Sequence, residues 1–194
     1  DTTFNMKYFE KALNQNVKIV SMVHVSNLDG VTVPAREIIK LAHEHNALVM
    51  LDGAQSAPHM KVNVKDLEVD FFAFSIHKMC GPSGVGVLYG RYDELGRLKP
   101  FLTGGDTVSE THYDSYTMFG LPERFEAGLQ NYAGIIGAGA AAEYLMKVGM
   151  DEIERHDTEL NVAMTEQVGK IEKVTIVGPQ DPKLRGGIMS FNIQ

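Results

Sequence analysis

Two residues of this chain could do chemistry together, a lysine and an aspartate that each follow an apolar run. Lys78 lies in FSIHKMCGPSGVGVLYG (residues 74–90), and Asp52 lies in MLDGAQSAPH (residues 50–59). The apolar residues before each of them are typical of buried strands in an α/β sheet. Because parallel strands end at the same edge of an open sheet, the amine and the carboxylate are predicted to point into one crevice.

Such a pair suits a cofactor that carries both an aldehyde and a basic ring nitrogen. A desolvated lysine can be neutral near pH 7 and can form a Schiff base, and Lys78 is expected to be desolvated by the aromatic residues before it. A carboxylate keeps a ring nitrogen protonated, so that the ring can accept electrons. The sequence therefore predicts a pyridoxal 5′-phosphate (PLP) site, with Lys78 as the Schiff-base lysine and Asp52 beside the pyridinium nitrogen.

Donors for the phosphate and the ring hydroxyl of this cofactor stand close by in the sequence. Ser75 and His77 flank the strand end beside Lys78, and Gln55 lies one short turn beyond Asp52. Each residue alone also has an ordinary structural explanation, since a lysine can end a strand at the surface and an aspartate can cap a helix. Their combination at two strand ends favours the chemical explanation.

The glycine-rich segment GPSGVG (residues 81–86) resembles a phosphate-binding loop but lacks the lysine of a Walker motif, and no helix is predicted to follow it. We interpret it as a tight turn through which the backbone enters the next strand. A flavodoxin-like binding domain that uses this loop is the alternative. Cys80 and His77 supply two metal ligands, which are too few for a zinc site.

The elements that must position these residues alternate between strands and helices. Helices are predicted over residues 3–14, 34–45, 131–147 and 150–170, with a short helical turn near 65–67, and strands over 17–25, 47–51, 70–75, 85–89, 173–177 and 187–193. This alternation predicts an α/β fold with a mostly parallel sheet. The β-branched run 17–25 is expected to be covered on both faces. Residues 91–126 show little periodicity, which predicts a long functional or partner-contacting loop.

Composition limits the classes of function. A length of 194 residues with 44% hydrophobic residues suits one large core and a small second lobe, predicted as residues 1–147 and an α+β domain that begins at 148. The net charge of −7 argues against nucleic acid, and no apolar run is long enough to span a membrane. A single cysteine fits a reducing cytoplasm. Because the chain lacks an initial methionine and stops inside a predicted strand, we expect a fragment of a larger protein.

Four stretches resemble the class V aminotransferase superfamily of fold-type I PLP enzymes, and within it the SufS-type cysteine desulfurases. They are HVSNLDG (24–30), LDGAQSAPH (51–59), FSIHKMCGPSGVGVLYG (74–90) and RFEAGLQNYAGIIGAGAAAEYL (124–145). The resemblance implies that the chain holds the later part of the PLP-binding large domain and the start of the small C-terminal domain.

The resemblance also implies site roles, an activity and partners. Carried over by position, Lys78 would hold PLP, Asp52 would pair with the pyridinium, Gln55 would bond the ring hydroxyl, Ser75 and His77 would bind phosphate, and Asn27 would lie near the substrate carboxylate or the ring hydroxyl. The implied reaction converts L-cysteine to alanine and leaves the sulfur on an enzyme cysteine as a persulfide. The implied protein is a cytoplasmic homodimer that hands sulfur to an acceptor protein for iron–sulfur cluster assembly.

Two departures from the family pattern stand out. In the family segment RFEAGTPN the threonine reaches the phosphate of a dimer partner, whereas this chain has Leu129, so that either Gln130 substitutes or the contact is lost. The family's chain is also considerably longer, and Cys80 does not match its sulfur-accepting cysteine. We therefore expect the fragment alone to bind PLP weakly and to be inactive. The alternatives are another class V enzyme, such as a selenocysteine lyase or an epimerase, or a non-catalytic scaffold with this fold.

Overall fold

The computed structural model describes residues 3–194, and its elements follow the predicted alternation closely. The α-helices are α1 (Met6–Ala12), α2 (Ala35–Glu44), α3 (Val64–Leu67), α4 (Tyr92–Arg97), α5 (Tyr132–Val148) and α6 (Met150–Val168). The strands are β1 (Ile19–Val23), β2 (Leu48–Asp52), β3 (Phe71–Ser75), β4 (Gly86–Gly90), β5 (Val108–Thr111), β6 (Tyr116–Met118), β7 (Val174–Val177) and β8 (Ser190–Ile193).

A four-stranded sheet forms the centre of the molecule, with the strand order β1-β2-β3-β4. Strands β1, β2 and β3 are parallel, and β4 runs antiparallel to β3 at the edge of the sheet. The pairs β5-β6 and β7-β8 form two separate antiparallel hairpins. The predicted α/β fold with a mostly parallel sheet is thus confirmed.

One face of this sheet, which we call the core face, carries the hydrophobic core. Val49 and Leu51 of β2 and Phe72 of β3 lie on this face and are at most 2% exposed. Helix α2 covers it with Ile38 and Ala42, which are four residues apart and therefore lie on one side of the helix. Helix α1 adds partly buried apolar side chains to the same cluster. Sequence periodicity therefore translates directly into a core on this side.

The opposite face, which we call the site face, is largely open in the part of the chain described. Ile19 of β1 is 52% exposed and Leu88 of β4 is 55% exposed. Asp52 lies on this face, because side chains alternate along a strand and its neighbour Leu51 is in the core. The expectation that β1 is covered on both faces is wrong for residues 3–194, since Ile19 and Val23 on the site face are exposed.

Residues 91–126 hold more structure than their sequence indicates. They contain α4 and the β5-β6 hairpin, so the prediction of a loop without regular structure is wrong there. Both strands are short and mostly exposed, which leaves no apolar alternation to detect. The Nη2 group of Arg124 donates hydrogen bonds to the carbonyls of Leu95, Gly96 and Leu98 at 2.7–3.0 Å. This arginine thereby ties the end of the segment to the end of α4.

The last third of the chain consists of α5, α6 and the β7-β8 hairpin. Gly149 separates the two helices with a φ of +96°, a conformation that glycine adopts at little cost. Buried Asn161 of α6 donates to the carbonyl of Arg185 at 2.9 Å, and so docks the segment before β8. The proposed domain division at residues 147 and 148 remains a prediction. Across residues 3–194, no helix is both long and apolar enough to cross a membrane.

Candidate active site

The six residues predicted for the site follow three neighbouring strands at one edge of the sheet. Val23 pairs with Asp52, and Asp52 pairs with Ala73, so β1, β2 and β3 all end at this edge. These six residues are called the strand-end cluster. They are Asn27 after β1, Asp52 and Gln55 at the end of β2, and Ser75, His77 and Lys78 at the end of β3. Neighbouring strands lie about 4.8 Å apart. The topology therefore brings the segments that carry the lysine and the aspartate next to each other.

Asp52 is exposed and uses only part of its hydrogen-bonding capacity within the chain. Its Oδ1 atom accepts a hydrogen bond from the backbone N–H of Ala54 at 2.9 Å. The alternative that Asp52 caps a helix is wrong, since residues 54–59 form turns; the contact with Ala54 caps the first of these turns instead. In residues 3–194 its Oδ2 atom has no hydrogen-bond partner, so one carboxylate oxygen stays available. The structural role and a chemical role are thus compatible in the same side chain.

Lys78 ends a single turn of 3-10 helix, Ile76–Lys78, directly after β3. Buried Ile76 fixes this turn, because its N–H donates to the carbonyl of Val85 at 3.1 Å and its carbonyl accepts from Met79 at 2.8 Å. The backbone then passes through Gly84, at a φ of +82°, into β4. The interpretation of GPSGVG as a tight turn is confirmed. The expected desolvation of Lys78 is not observed, since its side chain is exposed and nothing in residues 3–194 covers the site face there.

The remaining members of the strand-end cluster are polar groups without partners inside the chain. Gln55 and Ser75 are half-buried, whereas Asn27 and His77 are exposed. Within the described range 3–194, none of these four side chains forms a hydrogen bond with another protein group. Such groups stay free to donate to a ligand at the strand ends.

This donor set fits PLP. The free amine of Lys78 suits the aldehyde carbon, and the free oxygen of Asp52 suits the protonated ring nitrogen. The hydroxyl of Ser75 and the imidazole of His77 can donate to a phosphate, and the amide of Gln55 can donate to a ring hydroxyl. These assignments stay predictions for the individual residues.

Two buried residues beside the cluster were missed by the sequence reasoning. The Nδ1 atom of His24 lies 3.0 Å from the Oγ atom of Ser56, and the two residues are 4% and 0% exposed. Burial lowers the pKa of His24 below its ordinary value, because desolvation disfavours the charged imidazolium. Both residues stand inside the stretches HVSNLDG and LDGAQSAPH. A buried pair 32 positions apart, however, has no local signal in a single sequence.

A cavity of about 220 Å³ lies beside the cluster, between the turn after β2 and helix α6. Its lining includes Gln55 and His59 from the turn and Asp157 from α6. The Nδ1 atom of His59 lies 2.8 Å from Oδ2 of Asp157, which connects the turn after β2 to the last third of the chain. The cluster is thus bounded on this side by a polar contact between distant segments.

Comparisons with known proteins agree with this geometry. The family model for Aminotransferase class-V matches residues 1–194. A relative from Halalkalibacterium halodurans, described as a probable cysteine desulfurase, is 43% identical over all of this chain and 47% of its own length. The apo structure of a cysteine desulfurase from Thermococcus onnurineus NA1 has a TM-score of 0.94 at 40% identity and covers 98% of this chain and 48% of that one. The cysteine desulfurase CsdA from Escherichia coli has a TM-score of 0.92 at 32% identity, with coverage of 97% and 46%. The chain therefore spans about half the length of these relatives.

Proposed function

The chain belongs to the aminotransferase class-V family, and from that premise we propose that it forms the PLP-holding part of a cysteine desulfurase. The relatives named above carry that description, and identity of 43% over the whole chain supports the same activity here. Because the chain spans 47% of that relative, the activity is proposed for the complete protein that carries it.

One observation carries the proposal. Asp52 ends β2, and Lys78 lies three residues past the end of the neighbouring parallel strand β3. Each keeps a polar atom free of protein partners in residues 3–194. An amine and a carboxylate at the carboxyl ends of such strands are the groups that a Schiff-base cofactor with a ring nitrogen requires.

Each residue then has a defined task. Lys78 would hold the cofactor through its amine and would move a proton at the substrate Cα. Asp52 holds a proton on the ring nitrogen by its negative charge. When bound, PLP supplies an electron sink for the bond that is broken at Cα. As expected from the resemblance, Ser75 and His77 would bind the phosphate and Gln55 would bond the ring hydroxyl. Asn27 would lie near the substrate carboxylate or the ring hydroxyl.

The proposed reaction produces alanine and leaves the sulfur on an enzyme cysteine. Cys80, the single cysteine of the chain, does not occupy the matching position, so we expect the 194-residue chain by itself not to release sulfur. Because the chain spans 47% of its relative, we also expect only part of the PLP site to be present and PLP binding by this chain alone to be weak. Loose positioning of even part of a catalytic site lowers its rate strongly. We also propose the SufS-type subgroup, a cytoplasmic homodimer, and a sulfur-acceptor protein that serves iron–sulfur cluster assembly.

The position of Leu129 bears on the dimer. Its side chain is 90% exposed and has no donor for a partner's phosphate. The amide of Gln130, the other candidate donor, already donates both of its hydrogens, to the carbonyls of Glu126 and Gly128 at 3.0 Å. We therefore propose that the contact across the dimer is lost rather than taken over by Gln130.

The test is covalent uptake of PLP by the complete protein, expressed from its full reading frame. Added PLP should produce a visible absorbance band, and borohydride should fix the bond as a secondary amine on the peptide that contains Lys78. Lys78→Ala should abolish both signals, because the amine is the attachment point. Lys65→Ala, which removes an exposed lysine of α3, is the matched control and should retain both.

A flavodoxin-like binding domain would bind its ligand equally well in Lys78→Ala, and a non-catalytic scaffold would show no Lys78-dependent band. Another class V enzyme, a selenocysteine lyase or an epimerase, would keep the band but would not form alanine from L-cysteine. Product analysis of the complete protein with L-cysteine therefore separates the desulfurase from these relatives.

A further inference from the structure

A buried pair of side chains links the turn that follows β2 to the segment that follows β1. His24 directly follows β1, and its Nδ1 atom lies 3.0 Å from Oγ of Ser56 in the turn. The imidazole also packs edge-on against Phe72 of β3, with ring centroids 6.2 Å apart. Within residues 3–194 this is the side-chain hydrogen bond that joins residues 52–56 to the segment after β1. It adds a buried side-chain contact to the backbone pairing of β1 and β2.

The same histidine is bonded at both ends of the turn. Its backbone N–H donates to the carbonyl of Asp52 at 2.8 Å, where the turn begins. Its side chain reaches Ser56, where the turn closes, and the carbonyl of Gly53 accepts from the N–H of Ala57 at 2.8 Å. Asp52 is itself the first of these anchored residues, and Gln55 lies between the two anchors. The orientation of both is therefore determined by how firmly the turn is held.

Ser56 links His24 to the backbone of the turn. Its Oγ atom lies 3.0 Å from Nδ1 of His24 and 3.4 Å from the carbonyl oxygen of Gly53. Burial favours the neutral imidazole, and the hydroxyl either accepts from Nδ1–H or donates to Nδ1, according to the tautomer. In both tautomers the hydroxyl of Ser56 bonds to the imidazole.

Close packing below the turn explains why small displacements matter. A Cβ atom on Gly53 would lie 2.0 Å from the ring of Phe72, so the backbone rests directly on that ring. Asp52 itself is exposed and gains no orientation from packing. Its carboxylate is oriented by the N–H of Ala54 within the turn, at 2.9 Å. A shift of the turn would consequently move the carboxylate with it.

We propose that His24 and Ser56 are positioning residues, whose buried hydrogen bond holds turn 53–56 so that Asp52 meets the ring nitrogen of the cofactor. This inference rests on the proposed PLP site. Filling the same volume with an apolar side chain would preserve packing but not the orientation of the turn. The pair therefore affects the protonation of the cofactor ring, which is a property that packing alone does not control.

The experiment uses the complete protein loaded with PLP that carries ¹⁵N in its ring. The ¹⁵N chemical shift reports whether the ring nitrogen is protonated, and hydrogen exchange of the Ala54 amide without cofactor reports the turn itself. In Ser56→Ala and His24→Leu we expect the shift to move toward the unprotonated ring, Ala54 to exchange faster, and PLP affinity to fall about two- to tenfold, as for loss of one hydrogen bond. His24→Asn keeps an amide near the Nδ1 position that can donate or accept a hydrogen bond, and should restore much of all three.

His43→Leu is the matched control, because it breaks a similar contact of 2.8 Å, to buried Asp70, away from the strand-end cluster. It should lower the melting temperature and leave the ¹⁵N shift unchanged. If Ser56→Ala and His24→Leu lower the melting temperature but keep the wild-type ¹⁵N shift and affinity, the pair is only structural and the inference is wrong. If the wild-type protein takes up no PLP at Lys78, the proposed function is wrong. The wild-type measurement alone thus separates failure of the proposed function from failure of the positioning role of His24 and Ser56.

Discussion

The two faces of the central sheet differ in what covers them, although the same strands build both. On the core face Leu51 is fully buried, whereas on the site face Leu88 is 55% exposed. Helices α1 and α2 pack only on the core face, and the strand-end cluster opens beside the other. The residues that stabilise the fold and the residues predicted to bind the cofactor therefore lie in different parts of the sheet. Substitutions on the core face should affect folding, and substitutions at the strand ends should affect cofactor binding.

The largest effect is expected from Leu51→Ala on the core face. Removing a fully buried leucine should lower the free energy of unfolding by roughly 2–5 kcal/mol, because transfer energy is lost and a cavity remains. Leu88→Ala on the site face should change it by about 0.5 kcal/mol or less, as for a surface position. Urea unfolding of this chain measures both. Equal losses would mean that the site face is covered in solution, and the contrast between the faces would be wrong.

Asp52→Asn should have the next largest effect, and on binding instead of folding. Asparagine can still accept the hydrogen bond from Ala54, so the turn should survive. Loss of the charge should weaken PLP binding by roughly 1.5–3 kcal/mol, which is about ten- to more than a hundredfold in the dissociation constant. Absorbance titration of the complete protein gives that constant. Asp66→Asn in exposed α3 is the control, and an equal loss there would refute a specific role for Asp52.

Leu129→Thr should produce a smaller change in the opposite direction. A hydroxyl at this exposed position can supply the phosphate donor that the family pattern places here. We expect PLP affinity of the complete protein to rise by about 0.5–1.5 kcal/mol, as for one added hydrogen bond. Leu129→Val has the shape of threonine without its hydroxyl and serves as the control. A gain in both variants would point to relief of crowding and not to a new hydrogen bond.

The smallest effect concerns pH. Burial lowers the pKa of His24, so below the ordinary value of about 6.5 the unfolded chain binds this proton more readily than the folded chain. The stability that depends on the neutral imidazole is complete above about pH 6.5 and is lost as the pH falls toward the lowered pKa. The free energy of unfolding should thus fall less steeply with acid in His24→Asn than in the wild type. If the free energy of unfolding falls equally with acid in the wild type and in His24→Asn, His24 does not contribute to the pH dependence of stability.

Local patterns in the sequence predicted most of the fold. Helix α2 was recognisable because its apolar residues recur at helical spacing, and β3 because an aromatic run ends at a polar residue. The β5-β6 hairpin was missed because its short exposed strands bury almost nothing. The desolvation expected for Lys78 was also wrong, because local sequence cannot show what covers a side chain.

The types of the reactive groups and the strands that carry them were determined by the sequence alone. A lysine and an aspartate after two apolar runs predict a PLP site, because the carboxyl ends of parallel strands lie on the same side of the sheet and bring the two side chains together. Only the tertiary structure decided which face of the sheet is closed, and that His24 meets Ser56 across 32 positions. The physical reason is that alternation along a strand marks two faces but does not say what packs on either of them. Contacts between distant segments depend on the assembled fold, and the support beneath the strand-end cluster is made of such contacts.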